Sequence, residues 1–257
     1  MVFGRRNFAH SEPEIVEIID LIDPDFKKIV KTSWNERYRS FCGIVGNQPF
    51  FGGGSDEETG KILKNVMILN KKKEIIKLKT PRFRAASCKI SQNAYLISGG
   101  IDNDDVDLET SEIIEFKPVE DKWIVRKGMD LPVKIGAHSA LKWDENTIYI
   151  IEGLFAKTWI LDMEGGYREG PSLNIPRDDP YGVVESAIMI SNGKRKIIVA
   201  HTDSVEILDP ESSDEGWIQG NVYGTPCPHS CDISMYLDIH YTYFFKSQTC
   251  REIFTSM

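Results

Sequence analysis

The sequence predicts an all-β chain folded as a ring of repeated four-stranded sheets, a β-propeller. Three observations carry that reading. Short runs of β-branched and aromatic residues, bounded by Gly, Pro, Asn and Asp, recur in groups of four. The second run of each group ends near Gly4, Gly53, Gly100, Gly153, His201 or Lys246, positions about 50 residues apart, a spacing typical of repeat architectures. A separate marker, the prolines Pro81, Pro132, Pro176 and Pro226, keeps nearly the same interval. The expected organisation is one domain over residues 1–257, in units of about 1–32, 33–80, 81–131, 132–175, 176–224 and 225–257.

The unit from Pro81 to Leu131 shows the plan most clearly. Ala85 to Ile90 reads as a small-residue first strand, Asn93 to Ser98 as a second, and the pair Gly99-Gly100 follows. After an acidic loop, Asp102 to Thr110, come strands at Glu112 to Phe116 and Trp123 to Arg126. The preceding unit carries Arg39 to Val45, Pro49 to Gly53, Asn65 to Leu69 and Glu74 to Lys79. The next carries Ala137 to Trp143, Thr147 to Ile151, Thr158 to Asp162 and Tyr167 to Gly170. The one after that carries Val183 to Ile190, Lys196 to Ala200, Val205 to Asp209 and Trp217 to Gly220. At the ends lie Ile15 to Ile19 and Phe26 to Val30, then Asp232 to Leu237, His240 to Phe245 and Cys250 to Thr255.

One such sheet alone would expose two apolar faces and two open edges. Packing the sheets radially buries the faces and leaves only short edges. The first strands are rich in Ala, Ser and Gly, which suits a crowded position near an axis. The paired glycines, Gly52-Gly53 and Gly99-Gly100, allow backbone angles that a side chain forbids. These residues resemble the kelch repeat. In that family a double glycine follows strand two, and a tyrosine and then a tryptophan at a fixed distance follow those glycines; here Trp123 follows Gly99-Gly100, and Trp217 stands in the fourth strand of a later unit. Tyr167 and Phe26 stand as substitutes in other units, while Glu152-Gly153 and Ala200-His201 depart from the double glycine. The resemblance implies a kelch-type propeller of five to six blades, with a terminal blade incomplete or closed by pairing of N- and C-terminal strands. It implies binding more often than catalysis.

Composition narrows the function classes. A net charge of -8 disfavours nucleic acid as the main partner, because phosphate neutralisation needs a basic surface. No apolar run is long enough to cross a bilayer, and Met1 to His10 lacks the apolar core of a secretory signal. Five cysteines, an odd number, fit free thiols in a reducing compartment, so the expected location is cytoplasmic.

In kelch-like propellers the loops between strands two and three share a face with the loops between blades. That face is expected to collect Asp56-Glu57-Glu58, the run Asp102 to Asp107, and Asp178-Asp179. It also collects Arg5, Arg6, Arg37, Arg82, Arg84 and Arg177. The expected partner-binding residues are Arg37, Arg82, Arg84, Arg177, Asp102 and Asp104, with the arginines gripping carboxylates or phosphates of a protein or peptide. By family analogy the partner is a ubiquitin-ligase or cytoskeletal component.

Other motifs weigh less. Asp102 to Asp107 lacks the glycine and distal glutamate of a helix-loop-helix calcium site. Cys227, His229 and Cys231 are metal-capable types without the usual zinc spacing. Ser212 to Trp217 resembles part of a sialidase-type structural turn, and His138 reads as a packed first-strand residue. No cofactor, metal or catalytic residue is assigned. The alternative is a propeller enzyme of the galactose-oxidase or sialidase-like kind, with an axial site.

Overall fold

The computed structural model of the chain describes residues 37–46, 48–56, 58–69, 74–176, 184–191, 193–200, 204–212 and 216–220. It also describes the backbone of four outlying strands. Two of these, β1 (Ile15–Ile19) and β2 (Lys27–Lys31), form an antiparallel hairpin. The short β3 (Arg37–Tyr38) then leads into β4 (Phe41–Val45) and β5 (Gln48–Gly52). β6 (Ser55–Asp56) pairs back with β3, and β7 (Asn65–Ile68) and β8 (Ile75–Lys77) complete a four-stranded sheet in the order β4-β5-β7-β8.

Three further sheets repeat that meander. The second contains β9 (Ala86–Ser91), β10 (Ala94–Ser98), β11 (Ser111–Lys117) and β12 (Lys122–Lys127). The third contains β13 (Ser139–Lys142), β14 (Thr147–Ile151), β15 (Thr158–Asp162) and β16 (Gly166–Glu169). The fourth contains β17 (Glu185–Ser191), β18 (Lys194–Ala200), β19 (Val205–Leu208) and β20 (Ile218–Gly220). A last hairpin joins β21 (Ser234–Asp238) to β22 (Tyr241–Phe245). All ladders are antiparallel, and none of the described residues is helical. Among the described residues no helix is therefore long and apolar enough to cross a membrane.

The sheets are ordered through their first strands. β9 neighbours both β4 and β13, and β17 neighbours both β13 and β21. Ser87 Oγ donates to Cys42 O across the first of these junctions at 2.8 Å, and Ser139 and Ser186 share a hydroxyl hydrogen bond across the third at 2.5 Å. Small hydroxyl residues permit this approach, as the composition of the first strands led one to expect. The arrangement is propeller-like. Among the described residues no ladder joins the two terminal hairpins.

The core lies between consecutive sheets rather than in one mass. Phe41, Phe50, Val66 and Ile68 of the first sheet meet Ile97, Ile114 and Trp123 of the second. Cys88, Leu96 and Ile113 of the second meet Ile148, Ile150 and Leu161 of the third. Tyr149, Ile151 and Ile160 of the third meet Ile197, Val199 and Trp217 of the fourth. Each second strand is buried on both faces, which explains its nearly unbroken apolar sequence. The fourth-strand tryptophan wedges against the preceding sheet: the Trp217 indole N–H donates to Pro171 O at 2.9 Å.

Register corrects two sequence assignments. Gly52 pairs with Phe41 and Val66, as Ser98 pairs with Ala86 and Ser111, so the counterpart of Gly99-Gly100 is Gly53-Gly54 rather than Gly52-Gly53. The first strands begin at Phe41 and Ser139 instead of Arg39 and Ala137. Both of the earlier residues have positive φ, 54° each, and a left-handed residue cannot sit in a flat strand. The proposed strand Cys250 to Thr255 lies outside the described residues.

Candidate interaction face

Because Ser98 pairs with both Ala86 and Ser111, the end of β10 lies beside the starts of β9 and β11. The same holds for Ile151 with Ser139 and Thr158, and for Gly52 with Phe41 and Val66. Every loop from strand two to strand three therefore emerges at the same end of its sheet as the segment leading into strand one. This is the loop face.

Its floor is a repeated junction between units. Gly99 has φ of 54°, and a Cβ there would lie 2.4 Å from Ile135 O of the next unit. The equivalent Gly53 has φ of 62°, and its Cβ would lie 2.5 Å from Arg82 O. The following glycines complete the contact, Gly100 N–H donating to Ile135 O at 2.8 Å and Gly54 N–H to Arg82 O at 2.7 Å. The double glycine thus lets one unit's backbone touch the next. In the third sheet Glu152 occupies the first glycine's place, with its N–H donating to Lys157 O across a short loop.

Two of the arginines expected to form a binding rim, Arg82 and Arg37, are built into this floor, and Arg5 and Arg6 lie outside the described residues. Arg82 is fully buried, and all five N–H groups are used. Nη1 donates to Gly99 O and Thr110 O, each at 2.7 Å, and Nη2 to Thr110 Oγ1 at 2.9 Å and Glu112 Oε1 at 3.1 Å. Nε donates to Glu112 Oε1 at 3.3 Å. Burial pulls its pKa below the usual guanidinium value, partly offset by the Glu112 carboxylate. Glu112 also accepts from the N–H groups of Lys79 at 2.7 Å and Thr80 at 3.1 Å, so it clamps the chain entering the unit. The cavity beside the pair, ≈ 120 Å³, is lined by Lys79, Thr80, Thr110, Ser111 and Lys127 as well as the pair itself.

Arg37 does the same one unit earlier. It is half-buried, and Nη1 donates to Asn65 O at 2.9 Å and Gly53 O at 3.3 Å, with Nη2 reaching Met67 Sδ at 3.2 Å. Arg82 is therefore unavailable as a partner contact, and Arg37 spends its donors on its own sheet. The cause is physical: residue four before the first strand faces the carbonyls at the end of strand two and the start of strand three. Sequence reasoning missed Glu112 and its counterpart Glu206. Glu206 accepts from Asn174 N at 2.7 Å and Ile175 N at 3.3 Å, just as Glu112 accepts from Lys79 and Thr80. The available signal was Pro176 and Glu206 repeating, to within one residue, the spacing of Pro81 and Glu112. Arg177, which follows Pro176 as Arg82 follows Pro81, lies outside the described residues.

Arg84 and the two aspartates sit nearer the surface. Arg84 is half-buried at positive φ, its guanidinium 5.1 Å from the Phe83 ring centre. The Asp102 carboxylate accepts from Asp104 N at 2.9 Å and Val106 N at 3.1 Å, making it the internal brace of its loop rather than a partner contact. Asp104 is exposed at the tip, as expected. Asn103 ties the loop to the preceding unit, accepting from Ile62 N at 2.9 Å.

Two further carboxylates mark the seam to the third sheet. Partial desolvation and the neighbouring Asp105 raise the Asp107 pKa, against the pull of Arg84. Burial raises that of Glu152, with Lys157 opposing and Asp107 adding to the rise. Beyond Glu152 the loop projects Leu154 and Phe155, 53% and 68% exposed, which sequence reasoning did not single out. Val106 on the neighbouring loop is also exposed.

His138 is a packed residue, as expected. Its Nε2 shares a 2.9 Å hydrogen bond with Ser98 Oγ, and burial, with nearby Arg82, drops its pKa to about 3. Among the described residues no group of three His, Cys, Asp or Glu is placed to hold a metal. The Cys227, His229 and Cys231 cluster lies outside them, as does part of the Ser212 to Trp217 turn. Cys42 and Cys88 are free thiols.

No family profile and no curated protein matches this chain. Among solved structures, "Structure of YjhT" superposes with a TM-score of 0.52, over 81% of this chain and 76% of that one, at 8% identity. At that identity the likeness speaks to fold alone.

Proposed function

We propose that the chain is a kelch-type β-propeller of five or six blades, a single cytoplasmic domain that binds a protein or peptide through its loop face and performs no catalysis. The observation that carries this is the pairing of an exposed aromatic tip, Leu154-Phe155, with a braced acidic loop, Asp102 to Asp107, on one face. Exposed Phe and Leu beside one another are costly on a monomer surface and are common where partners dock. A braced loop loses little entropy on binding. The kelch reading is supported by the Gly-Gly junctions, the fourth-strand tryptophans and the side-by-side order of successive first strands.

Affinity capture from lysate tests the reading. The intact chain is compared with Leu154→Ser/Phe155→Ser and with a control at the opposite end, Val119→Ser, since Val119 is fully exposed in the β11–β12 turn. The expected outcome is a protein retained by the intact chain and the control and lost from the double variant. Equal retention by all three would remove the loop face as the binding surface.

A further inference from the structure

We infer that the cavity beside Arg82 and Glu112 is an oxyanion site, sized for a single phosphate group. The inference goes beyond the proposed docking at Leu154-Phe155 and does not depend on it.

Size sets the first limit. At ≈ 120 Å³ the cavity exceeds the ~30 Å³ share of one water in the liquid and falls well short of the roughly 300 Å³ where pockets for drug-sized ligands begin. Its lining is layered. Arg82, Ser111 and Glu112 are buried, Thr80 and Thr110 are half-buried, and Lys79 and Lys127 are exposed. A small group therefore enters past the lysines and rests above the buried layer.

Charge sets the ligand's sign. Lys79, Arg82 and Lys127 line the cavity against the single carboxylate of Glu112. That carboxylate is spent. It accepts from Lys79 N, Thr80 N, Arg82 Nε and Arg82 Nη2, about what a carboxylate can take. Ser111 Oγ is also committed, donating to Met129 O at 2.6 Å. The groups left over are donors. Thr110 Oγ1 accepts from Arg82 Nη2 at 2.9 Å, so its own O–H remains to be donated. The Thr80 hydroxyl and the Lys79 ammonium have no partner among the described residues. Lys127 pairs with Asp130 at 2.7 Å, but the two side chains are 67% and 40% exposed, and such a surface pair gives way at little cost. A phosphate accepts from several donors at once and matches this set.

The arrangement is particular to one junction. Lys127 pairs with Glu112 across the β11–β12 ladder. At the same register the first sheet sets Ile75 against Met67, the third Glu169 against Trp159, and the fourth Gln219 against Glu206. Among these four sheets the second alone has a cation there.

Titration of the full chain with inorganic phosphate at constant ionic strength, followed by amide chemical shifts, tests this. Saturating shifts are expected at 79, 80, 110–112 and 127, with none when chloride replaces phosphate. Lys79→Gln/Lys127→Gln should weaken binding about tenfold or more, the scale of one charge-assisted hydrogen bond lost. Both side chains are exposed, and an unchanged melting temperature without phosphate confirms that the variant folds. Thr80→Val removes one donor and no charge, and should weaken binding less. Phosphate held equally by the native chain and the lysine variant overturns the inference, as does a lack of saturating shifts at those positions. A phosphoserine peptide and its unphosphorylated twin then distinguish the source of the group. Tighter binding of the phosphopeptide assigns the site to a modified protein side chain. Equal binding of the two peptides assigns it to the free ion, and either result leaves the site standing.

Discussion

Arg82 and Glu112 exchange a buried charge and a set of backbone hydrogen bonds that neither can replace alone. Removing one partner strands the other, so Arg82→Ala or Glu112→Ala is expected to destabilise by about 3–5 kcal/mol in urea titration. Arg82→Met/Glu112→Leu removes both charges and should cost less than the sum of the single changes. The chain performs a version of this exchange itself. The positions of Arg82 and Glu112 are held in the third sheet by Ile135 and Trp159, both part of one apolar cluster. His138 makes a second residue-scale case. Its folded pKa of about 3 lies below the ordinary 6.5, so the unfolded chain binds the extra proton first. Its contribution is whole above about pH 6.5 and fades as pH falls toward 3. Glu152 has a raised pKa and acts in the opposite sense, losing stability as pH rises through its titration. The denaturation midpoint of His138→Gln should therefore fall less steeply from pH 6.5 to 4 than that of the native chain. These residues also show what the sequence alone could and could not reveal. His138 was legible because it sits at the head of a first strand. Arg82 was misread because an arginine in a loop next to proline reads as solvated, and its acceptors are carbonyls that no side-chain pattern announces.

At the scale of elements, the strands were legible because each alternates or runs apolar between Gly, Pro and Asp, and β14, β15 and β1 fall where the pattern put them. Strand starts were less so, because the left-handed Arg39, Arg84 and Ala137 look like ordinary strand residues in one dimension. Their backbones link in series, Ala137 N–H to Arg84 O at 3.0 Å and Arg84 N–H to Arg39 O at 3.4 Å, a contact between units that only the assembled sheets create. The double-glycine junction predicts a sharp contrast between two glycines of similar φ. Gly60→Ala, at φ 69° with open space around it, should cost about 1 kcal/mol for the backbone conformation alone. Gly99→Ala adds a collision with Ile135 O and should cost clearly more, read as a larger drop in denaturation midpoint. In the acidic loop, Asp102→Ala removes the acceptor for two amides. Faster hydrogen exchange is expected at Asp104 and Val106, with the strands of the second sheet unchanged.

For the whole molecule, stability and the proposed function divide between two places. The apolar clusters between sheets hold the array, so a cut such as Ile150→Ala, fully buried in the cluster between the second and third sheets, should cost about 2–5 kcal/mol. The loop face carries what the packing leaves over: carboxylates and the exposed side chains of Leu154 and Phe155. That division was only half legible. The repeat spacing and glycines announced the array, whereas nothing in the sequence singled out Leu154-Phe155. Which residues face outward depends on where the third sheet meets the second, and that is a property of the assembly. Hydrogen exchange of the full chain, with and without its retained ligand, tests the loop-face claim most directly. Slowed exchange at 102–109 and 153–157, with the opposite-end turns at 92–93 and 118–121 unchanged, is the expected result. Protection confined to those opposite-end turns would contradict it.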